Sequence, residues 1–498
     1  MVAGHQYKNI VMKDLIKVLN WINGIECSSE EDMWIDKYNP DNGKLTIKVT
    51  NSSEIDVNNA VKAAENSFKE WSEFTPVKRG QILSKIVDLM KVSASELSEN
   101  IALEAGKPPQ DAAGEVGAAI MQGEFFAGEG MRLYGKSLTS GTPGKYSHTT
   151  RNPHGIVGLI VPANTPIANI AWKTFPALIC GNTIVLKSSE DTPSVAIMFA
   201  ELAKKAGLPD GVFNVIQGEG SISGEAIVNH PKISLISFTG STNVGIRIAQ
   251  NAGKRLARVS LELGGKNALI VCDDADLDEA VHWSSLSAFS NAGQRCAAGS
   301  KIFIFENIYD NFVKKFIMKA KSLKLGTRSD CDLGPVINQR QYQNIKKSIK
   351  TAIEDGGILL CGEDGSLSDI DNEGYYIKPT IISGLNHSAE LSNTEIFGPV
   401  VSIYPIKNIQ EALEYCNSSK YGLTSAIHTK NVDTAMWFAQ RVRSGVVNIN
   451  IGTYGSEPHM PFGGYGLSGN GTREPGSEAL DVYSEIKNIS FLTRENLI

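Results

Sequence analysis

The sequence predicts an α/β protein with two sheet-containing domains and a hairpin between segments of the first. Four short, β-branched segments (residues 155–161, 182–186, 212–216 and 235–238) are separated by helical patterns of ten or more residues. This alternation is typical of a parallel sheet with helices on both faces. A second α/β pattern begins at Gly264, and the residues rich in Gly, Ser and Thr between 136 and 151 predict a hairpin. Together these observations indicate two sheets and a hairpin.

The elements follow in order. Residues 1–20 form an extension whose apolar side chains have roughly helical spacing, and residues 21–49 predict short strands joined by turns. Helical periodicity covers residues 56–74, 77–106 and 110–134. In the second pattern, strands are expected at 268–271 and 302–305, and helices at 277–289 and 309–324. A last strand is expected at 481–493. The predicted boundaries are 1–135 with 155–263 for the first domain and 264–465 for the second, and residues 136–154 and 480–498 lie outside both.

Composition narrows the function classes. A chain of 498 residues is too long to fold around a single hydrophobic core, which predicts more than one domain. Its net charge of -6 provides no basic surface for nucleic acid or an anionic membrane. Seven cysteines, an odd number at irregular spacings, predict reduced thiols rather than a disulfide framework, and no spacing fits a structural metal site. No signal peptide is expected, because the N-terminal residues carry mixed charges among short apolar stretches. No membrane span is expected, because Pro162, Asn164 and Pro166 interrupt the longest apolar region. The expected location is the cytoplasm.

Two short segments carry the predicted chemistry. Cys296 ends a polar, glycine-containing turn and has Arg295 beside it, whereas most cysteines are inert, buried side chains. A neighbouring cation can favour the thiolate, which is the form that attacks. Glu262 interrupts an apolar strand just before Gly264 and Gly265. Strand alternation could instead point Glu262 at solvent. The functional interpretation makes Cys296 the nucleophile and Glu262 the base.

A candidate anion site lies at the end of the fourth predicted strand. Gly240 and Ser241 close that strand and open a helix, and the free N–H groups of a helix N-terminus bind anions. The alternative is that Ser241 is an ordinary helix N-cap. No GxGxxG motif occurs where the sheet would need it.

Several motifs in order resemble the aldehyde dehydrogenase superfamily, from about Trp21 to the C-terminus. They are residues 261–266 (LELGGK), 291–296 (NAGQRC), 333–337 (LGPVI) and 394–400 (TEIFGPV). The resemblance implies a Rossmann-type cofactor domain, a catalytic domain and a β oligomerisation arm. It also implies a homodimer or homotetramer and an NAD(P)-dependent enzyme. The cofactor-binding residues that it implies are Lys187, Glu190, Gly240, Ser241, Glu395 and Phe397. A carboxylate at Glu190 favours NAD over NADP. If Glu190 is instead only a negative charge at the start of a helix, the choice between NAD and NADP stays open.

The resemblance also implies a mechanism. The Cys296 thiolate attacks an aldehyde, the Asn164 side chain stabilises the oxyanion, hydride passes to NAD, and Glu262 activates the water that hydrolyses the thioester. Relatives that acylate coenzyme A generally lack this carboxylate, so Glu262 favours hydrolysis. Two alternatives remain: a coenzyme A-acylating semialdehyde dehydrogenase, or a scaffold without turnover.

The predicted substrate site is smaller and more polar than the aromatic tunnel of many such relatives. Ala163 and Thr165 flank Asn164 where those relatives carry aromatic side chains. The side chains predicted to contact substrate are Thr165, Asn169, Trp172, Ser290, Arg295, Ser456, Glu457 and His459. Taken alone, His459 is more often a structural or rim residue. We therefore expect a polar aldehyde, hydroxylated, sugar-derived or carboxylate-bearing.

Overall fold

The computed structural model describes residues 15–363 and 374–493. The first 14 residues of the predicted extension lie outside these ranges. The amino-terminal elements are β1 (Ile16–Val18), β2 (Asn20–Ile22), β3 (Ile25–Cys27), β4 (Trp34–Tyr38), β5 (Leu45–Thr50), α1 (Glu54–Glu73), α2 (Pro76–Val92), α3 (Ala94–Ala105), α4 (Pro109–Glu129), β6 (Ser137–Leu138) and β7 (Lys145–Pro153).

Two expectations for this region are wrong. Residues 16–18 form a strand parallel to β5 rather than a helical segment. The single helix expected at 77–106 is two helices, because Ser93 leaves the helical conformation with φ -94° and ψ 11°. Serine competes for backbone hydrogen bonds and therefore favours helix ends. Gly106, with φ +69°, ends α3 in the left-handed conformation that glycine adopts most readily.

The next segment completes the first sheet. Its elements are β8 (Ile156–Ile160), α5 (Pro166–Ile179), β9 (Thr183–Lys187), α6 (Ser194–Lys205), β10 (Phe213–Ile216), α7 (Glu225–Asn229), β11 (Ile233–Thr239), α8 (Thr242–Gly253) and β12 (Arg258–Glu262). All four predicted strands of this sheet are present. Every residue of β8, β9 and β10 is buried, as in a parallel sheet covered on both faces.

The strand order places a binding crevice. Among the described residues the first sheet runs β12-β11-β8-β9-β10-β2-β3, with parallel pairing from β12 to β10. The chain moves from β8 outward to β10 and then returns to the other side of β8 with β11. Ligands of such sheets bind where the direction of winding reverses, outside the carboxyl ends of the strands. Here the crevice lies beyond Ile160 and Thr239.

Packing of α5 fixes one wall of that crevice. Phe175 on α5 packs edge-on against Phe199 on α6, with ring centroids 5.8 Å apart, and Phe199 packs against Phe213 on β10 at 5.3 Å. All three rings are buried. Each ring contributes about 1.5–3 kcal/mol by its burial. This core holds the N-terminus of α5 directly beyond the end of β8.

The second sheet is built from the following segment. Its elements are β13 (Asn267–Val271), α9 (Leu277–Phe289), β14 (Gly299–Phe305), α10 (Tyr309–Ser322), α11 (Gln339–Glu354), β15 (Ile358–Cys361), β16 (Thr380–Ser383), α12 (Glu390–Asn393), β17 (Val400–Ile406), α13 (Ile409–Asn417), β18 (Tyr421–Gly422), β19 (Thr424–His428), α14 (Val432–Ala439), β20 (Val446–Ile449) and β21 (Tyr465–Gly466). The order within the described residues is β15-β16-β17-β14-β13-β19-β20, and only the β15 pair is antiparallel.

A third sheet forms the arm. After α15 (Ala479–Val482), β22 (Ser484–Leu492) pairs antiparallel with β7, which pairs with β6. The last strand therefore begins three residues later than expected, because residues 479–482 are helical. In the part of the chain that the structure describes, no helix combines the length and apolar character needed to cross a bilayer.

Candidate active site

The turn before Cys296 has an unusual backbone. Asn291, Ala292 and Gly293 have φ angles of 54°, 53° and 68°, so three successive residues are left-handed. For the two that are not glycine this conformation costs on the order of 1–3 kcal/mol each, and such strain is concentrated at functional sites. At position 293 a Cβ atom would collide with the backbone carbonyl of Gly398, so only glycine fits. The turn thereby carries the chain from α9 to Cys296.

Two side chains that the sequence analysis missed hold this turn in place. The amide of Asn267, at the start of β13, donates to the carbonyl oxygens of Cys296 at 2.7 Å and Ala298 at 2.8 Å. Thr453 donates through Oγ1 to the carbonyl oxygen of Ala297 at 2.7 Å. Three consecutive carbonyl groups are thus fixed, two of them by the first residue of β13 and one by the loop after β20. Because Asn267 directly follows the LELGGK motif, its position next to that motif was the available signal.

Asn164 is bonded to the same turn. Its Nδ2 donates to the carbonyl oxygen of Gln294 at 2.9 Å, and Nδ2 of Asn291 donates to the carbonyl oxygen of Asn164 at 3.2 Å. The Asn164 amide has two N–H groups, and one remains for a ligand. The backbone N–H of Cys296 has no acceptor among the described residues. These two donors could therefore serve a single oxyanion.

Glu262 is the last residue of β12 and is only 4% exposed. The alternative that strand alternation directs it to solvent is therefore wrong. Neither of its carboxylate oxygens is hydrogen-bonded to a residue that the structure describes. Burial raises the pKa of Glu262 well above its usual value, and the nearby Glu474 adds to this, while Lys173 and Arg473 oppose it. The group holds its proton to higher pH than an exposed glutamate.

The pKa of the Cys296 thiol is raised as well. Burial, followed by the charges of Glu395 and Glu262, raises the pKa of Cys296 to about 12. The backbone N–H of Ala297 and the Arg295 guanidinium lower it, but by less. Arg295 therefore favours the thiolate, as expected, but desolvation of the thiol outweighs this one neighbouring cation.

This raised pKa predicts slow alkylation of the cofactor-free protein. Below the pKa the thiolate fraction rises about tenfold per pH unit, so iodoacetamide should label Cys296 about tenfold faster for each unit above neutrality. Peptide mass spectrometry would measure the rate. Labelling that reaches a plateau near neutral pH would contradict the pKa shift.

Two cavities meet at Cys296. The switch-point cavity, about 420 Å³, lies at the carboxyl ends of β8, β11 and β12. The α4 cavity, about 380 Å³, lies along one face of α4. The residues that line both are Asn164, Thr165, Trp172, Cys296 and Phe462. The thiol therefore lies where molecules from two directions can come together.

The switch-point cavity contains most of the predicted cofactor residues. Its walls include Gly240, Ser241, Glu262, Glu395 and Phe397. It also includes three polar residues of α11 that the sequence analysis missed: Gln341, Asn344 and Ser348. They recur at helical spacing on one face of α11, which is the pattern that could have identified them. Nε2 of Gln341 donates to the carbonyl oxygens of Ile396 at 2.9 Å and Phe397 at 3.0 Å.

The chemistry of this cavity fits a phosphate-bearing ligand. Ser241 is the N-cap residue of α8, but its side chain forms no capping hydrogen bond. The N-terminal N–H groups of the 12-residue α8 remain for an anion. At Gly264 an added Cβ would collide with the Glu395 carboxylate, which accepts a hydrogen bond from the N–H of Gly265 at 3.1 Å. Burial raises the pKa of Glu395 to about 7.

Lys187 and Glu190 lie at the neighbouring strand end but outside the cavity wall. Lys187 is paired in register with Ile160 and Ile216. Its Nζ lies 2.8 Å from Oε2 of Glu190. Although burial acts in the opposite direction, the Lys187 ammonium holds the pKa of Glu190 below its usual value. A carboxylate is therefore maintained there at neutral pH.

The predicted substrate residues divide into two groups. Those that line one or both cavities are Thr165, Asn169, Trp172, Arg295 and Ser456. Ser290, Glu457 and His459 lie outside both walls. Ser290 ends α9 with its hydroxyl buried, and the side chains of Glu457 and His459 are 66% and 57% exposed. We therefore do not assign substrate contacts to these three. Among the described residues, no group of three or more His, Cys, Asp or Glu side chains could hold a metal ion.

Known proteins share this sequence and architecture. Residues 27–489 match the aldehyde dehydrogenase family. Retinaldehyde dehydrogenase 3 of Mus musculus is 38% identical over 92% of this chain and 90% of its own length. Alpha-ketoglutaric semialdehyde dehydrogenase of Bacillus subtilis is 35% identical over 95% of this chain and 97% of its own.

A solved structure shows the same fold. The NAD+ complex of an aldehyde dehydrogenase from Bacillus cereus superposes with a TM-score of 0.93 at 34% identity, covering 96% of this chain and 97% of the other. The resemblance drawn from the motifs is confirmed by these matches, as is the expected α/β fold. The chain belongs to the aldehyde dehydrogenase family, a family of oxidoreductases.

Proposed function

We propose that the protein oxidises a polar aldehyde to its carboxylic acid with NAD, through a covalent intermediate on Cys296 that Glu262 helps to hydrolyse. One observation carries the proposal. Asn164, Glu262 and Cys296 come from distant parts of the sequence, yet all three line the switch-point cavity. A nucleophile, an oxyanion donor and a buried carboxyl group in one cavity are the groups that acyl transfer to water needs.

NAD is the cofactor that fits the residues present. The free N-terminus of α8 with Ser241 would hold the pyrophosphate, Glu395 the nicotinamide ribose, and Lys187 with Glu190 the adenosine ribose. The Glu190 carboxylate would accept a hydrogen bond from a ribose hydroxyl and repel a 2′-phosphate, which favours NAD over NADP. The related Bacillus cereus enzyme has a structure with NAD+. When bound, NAD supplies the hydride acceptor.

The chain itself supplies the remaining chemistry. The Cys296 thiol loses its proton to solvent water, and its sulfur bonds to the carbonyl carbon as the carbonyl double bond opens. The Asn164 amide and the Cys296 backbone N–H donate to the oxygen as it becomes negative. Loss of hydride leaves a thioester on Cys296. Glu262 then accepts a proton from the water that attacks this thioester, and the carbon–sulfur bond breaks to release the acid. Because burial raises the pKa of Glu262, the hydrolysis rate should increase with pH.

Unpartnered polar atoms in the α4 cavity favour a polar substrate. Nε2 of Gln122, Nε of Arg295 and Oδ2 of Asp111 are buried without a hydrogen-bond partner among the described residues. All three side chains line this cavity, and Gln122 is only 1% exposed. A buried polar group without a partner costs about 1–3 kcal/mol, and a ligand that supplies the partner regains this energy. An apolar aldehyde would leave all three groups without partners.

The relatives do not decide the substrate class. One is named for retinaldehyde and another for α-ketoglutaric semialdehyde, which carries a carboxylate, and their identities to this chain are 38% and 35%. The lining of the α4 cavity is therefore the better guide. Its Arg295 guanidinium lies over the Tyr454 ring, 4.9 Å from the centroid, and forms no ion pair with a described residue. That cation is placed to meet a carboxylate or hydroxyl.

A panel of aldehydes tests the proposal. Succinic semialdehyde, glyceraldehyde, butanal and benzaldehyde would each be assayed with NAD and with NADP by absorbance of the reduced cofactor. We expect the first two aldehydes to give at least about tenfold higher kcat/KM than butanal or benzaldehyde, which corresponds to one satisfied polar group. We also expect NAD to be preferred. Higher kcat/KM for benzaldehyde would overturn the polar substrate, and no oxidation of any aldehyde would overturn the activity.

The oxyanion role of Asn164 has its own prediction. The Asn164→Ala variant should lower kcat by about 10²–10³-fold, the loss measured when one such donor is removed. The rate of the first turnover should fall with it, because the oxyanion forms before hydride leaves. Asn393→Ala on α12 is the matched control, since its amide donates to the carbonyl oxygens of His387 and Ala389 and the residue lines neither cavity. Loss of less than about threefold in Asn164→Ala would remove Asn164 from the mechanism.

Assembly and location belong to the same proposal. The arm sheet exposes Tyr146, Ile486, Phe491 and Leu492, each more than half exposed. Apolar side chains on an open sheet are usually covered by another chain, which supports a homodimer or homotetramer. The seven cysteines are all free, and reduced thiols support a cytoplasmic location. A monomer mass by sedimentation equilibrium at micromolar concentration would contradict the assembly.

A further inference from the structure

A buried ion pair lies behind the loop that carries Asn164. Lys107, just after α3, and Glu115, on α4, are separated by 2.5 Å between Nζ and Oε2. Their side chains are 6% and 4% exposed. Both residues contribute to the wall of the α4 cavity, so the pair lies next to the site.

Each member of this pair also bonds to the Asn164 loop. Nζ of Lys107 donates to the carbonyl oxygen of Asn164 at 2.5 Å. Oε1 of Glu115 accepts from the backbone N–H of Ile167 at 3.0 Å and from that of Ala168 at 3.5 Å. A carboxylate at these first N–H groups of α5 is also favoured by the helix dipole. The pair therefore fixes the loop on both sides of Pro166.

The opposite side of the loop is bonded to the cysteine turn. The carbonyl oxygen of Asn164 accepts from Lys107 and also from Nδ2 of Asn291, and the Asn164 side chain donates to Gln294. One residue thus connects the ion pair to the turn that presents Cys296. A shift of the loop would move the amide of Asn164 relative to the thiol.

Stability alone does not explain such a pair. Replacing a buried ion pair with apolar side chains of similar size is often neutral or stabilising, because two charges must be desolvated. What the pair provides here is position, since its remaining hydrogen bonds all go to residues 164–168. A displacement of about 1 Å at a reacting centre can cost about a hundredfold in rate.

We propose that Lys107 and Glu115 are positioning residues, which hold the Asn164 amide in register with Cys296 for oxyanion stabilisation. This inference rests on the proposed role of Asn164. It assigns to the pair no contact with substrate. Its effect should appear in the rate of the chemical step, with little change in KM.

The test combines the pair with Asn164. The rate of the first turnover would be measured by stopped flow with saturating NAD for Lys107→Met, Glu115→Gln and the double variant Lys107→Met/Glu115→Leu. We expect each to lose about tenfold to a hundredfold in that rate. In an Asn164→Ala background the same changes should have no further effect, because the amide that they position is gone. Lys107→Arg, which keeps the charge and donors, should retain more of the rate than Lys107→Met.

The outcomes separate this inference from the proposed function. Glu129→Gln is the matched control, since Glu129 is a buried carboxylate on the same helix that pairs with Arg132 away from both cavities. If Asn164→Ala is slow but the folded double variant keeps the wild-type rate, the positioning role is wrong. If the losses in the pair and in Asn164 multiply, the pair acts elsewhere and the inference is also wrong. If Asn164→Ala itself is fully active, the proposed role of Asn164 fails first.

Discussion

Replacing Cys296 with alanine should lower aldehyde oxidation by about 10⁴-fold or more, because loss of a covalent nucleophile removes the whole reaction path. The change should affect chemistry alone. Cys296 is partly buried, and removing one sulfur atom from a turn that is held by Asn267 and Thr453 leaves those contacts in place. Reduced NAD, measured by absorbance, gives the rate.

The structure offers a matched control for that experiment. Cys27, in β3, is another partly buried free cysteine and lies in neither of the two cavities that meet at Cys296. Cys27→Ala should keep wild-type activity. Cys296→Ala should still bind NAD with wild-type affinity, measured by isothermal titration calorimetry. Oxidation by Cys296→Ala within about tenfold of wild type would mean that another group attacks the aldehyde.

Replacing Glu262 with glutamine should separate the two halves of the reaction. The first turnover should still produce one equivalent of reduced NAD, and steady turnover should then fall by about 10²–10⁴-fold, the usual contribution of a general base. The amide has nearly the same shape but cannot accept the proton. The residue is buried and without a hydrogen-bond partner among the described residues, so the substitution breaks no bond in the folded chain.

Stopped-flow absorbance distinguishes the outcomes for Glu262. A full burst followed by slow turnover supports a base in hydrolysis, whereas loss of the burst would place Glu262 in activation of the thiol. Glu124→Gln, on the surface of α4, is the control and should show neither effect. Unchanged steady turnover in Glu262→Gln would show that hydrolysis does not depend on this carboxylate.

Local sequence features were sufficient to predict the strands whose ends form the site. The β-branched runs specify strands β8 to β11 because buried parallel strands are short and almost wholly apolar. The residues that follow β8 and β11 then meet at the reversal of strand order, which brings Asn164 and Ser241 to one crevice. Motif resemblance added Glu395 and Phe397, whose roles no periodicity reveals.

Contacts between residues far apart in the chain could not be predicted from the sequence. Asn267 and Gln341 act by bonding carbonyl groups far along the chain, and a single polar side chain on a strand or helix gives no sign of such a partner. The pKa of Cys296 depends on how completely the fold excludes water, so the adjacent Arg295 was a poor guide. Ser290 and His459 were predicted to lie near substrate from their positions in the family's pattern, which does not determine the direction of a side chain.

Trapping the acyl intermediate is the most direct test of covalent catalysis by Cys296. Glu262→Gln would be mixed with NAD and succinic semialdehyde, quenched in acid within the burst, and digested for peptide mass spectrometry. We expect the peptide that contains Cys296 to carry one acyl group, whose mass is that of the aldehyde less one hydrogen. The amount of this acylated peptide should equal the amount of reduced NAD formed in the burst. A burst of reduced NAD with Cys296 unmodified, or with the acyl group on another residue, would contradict covalent catalysis by Cys296.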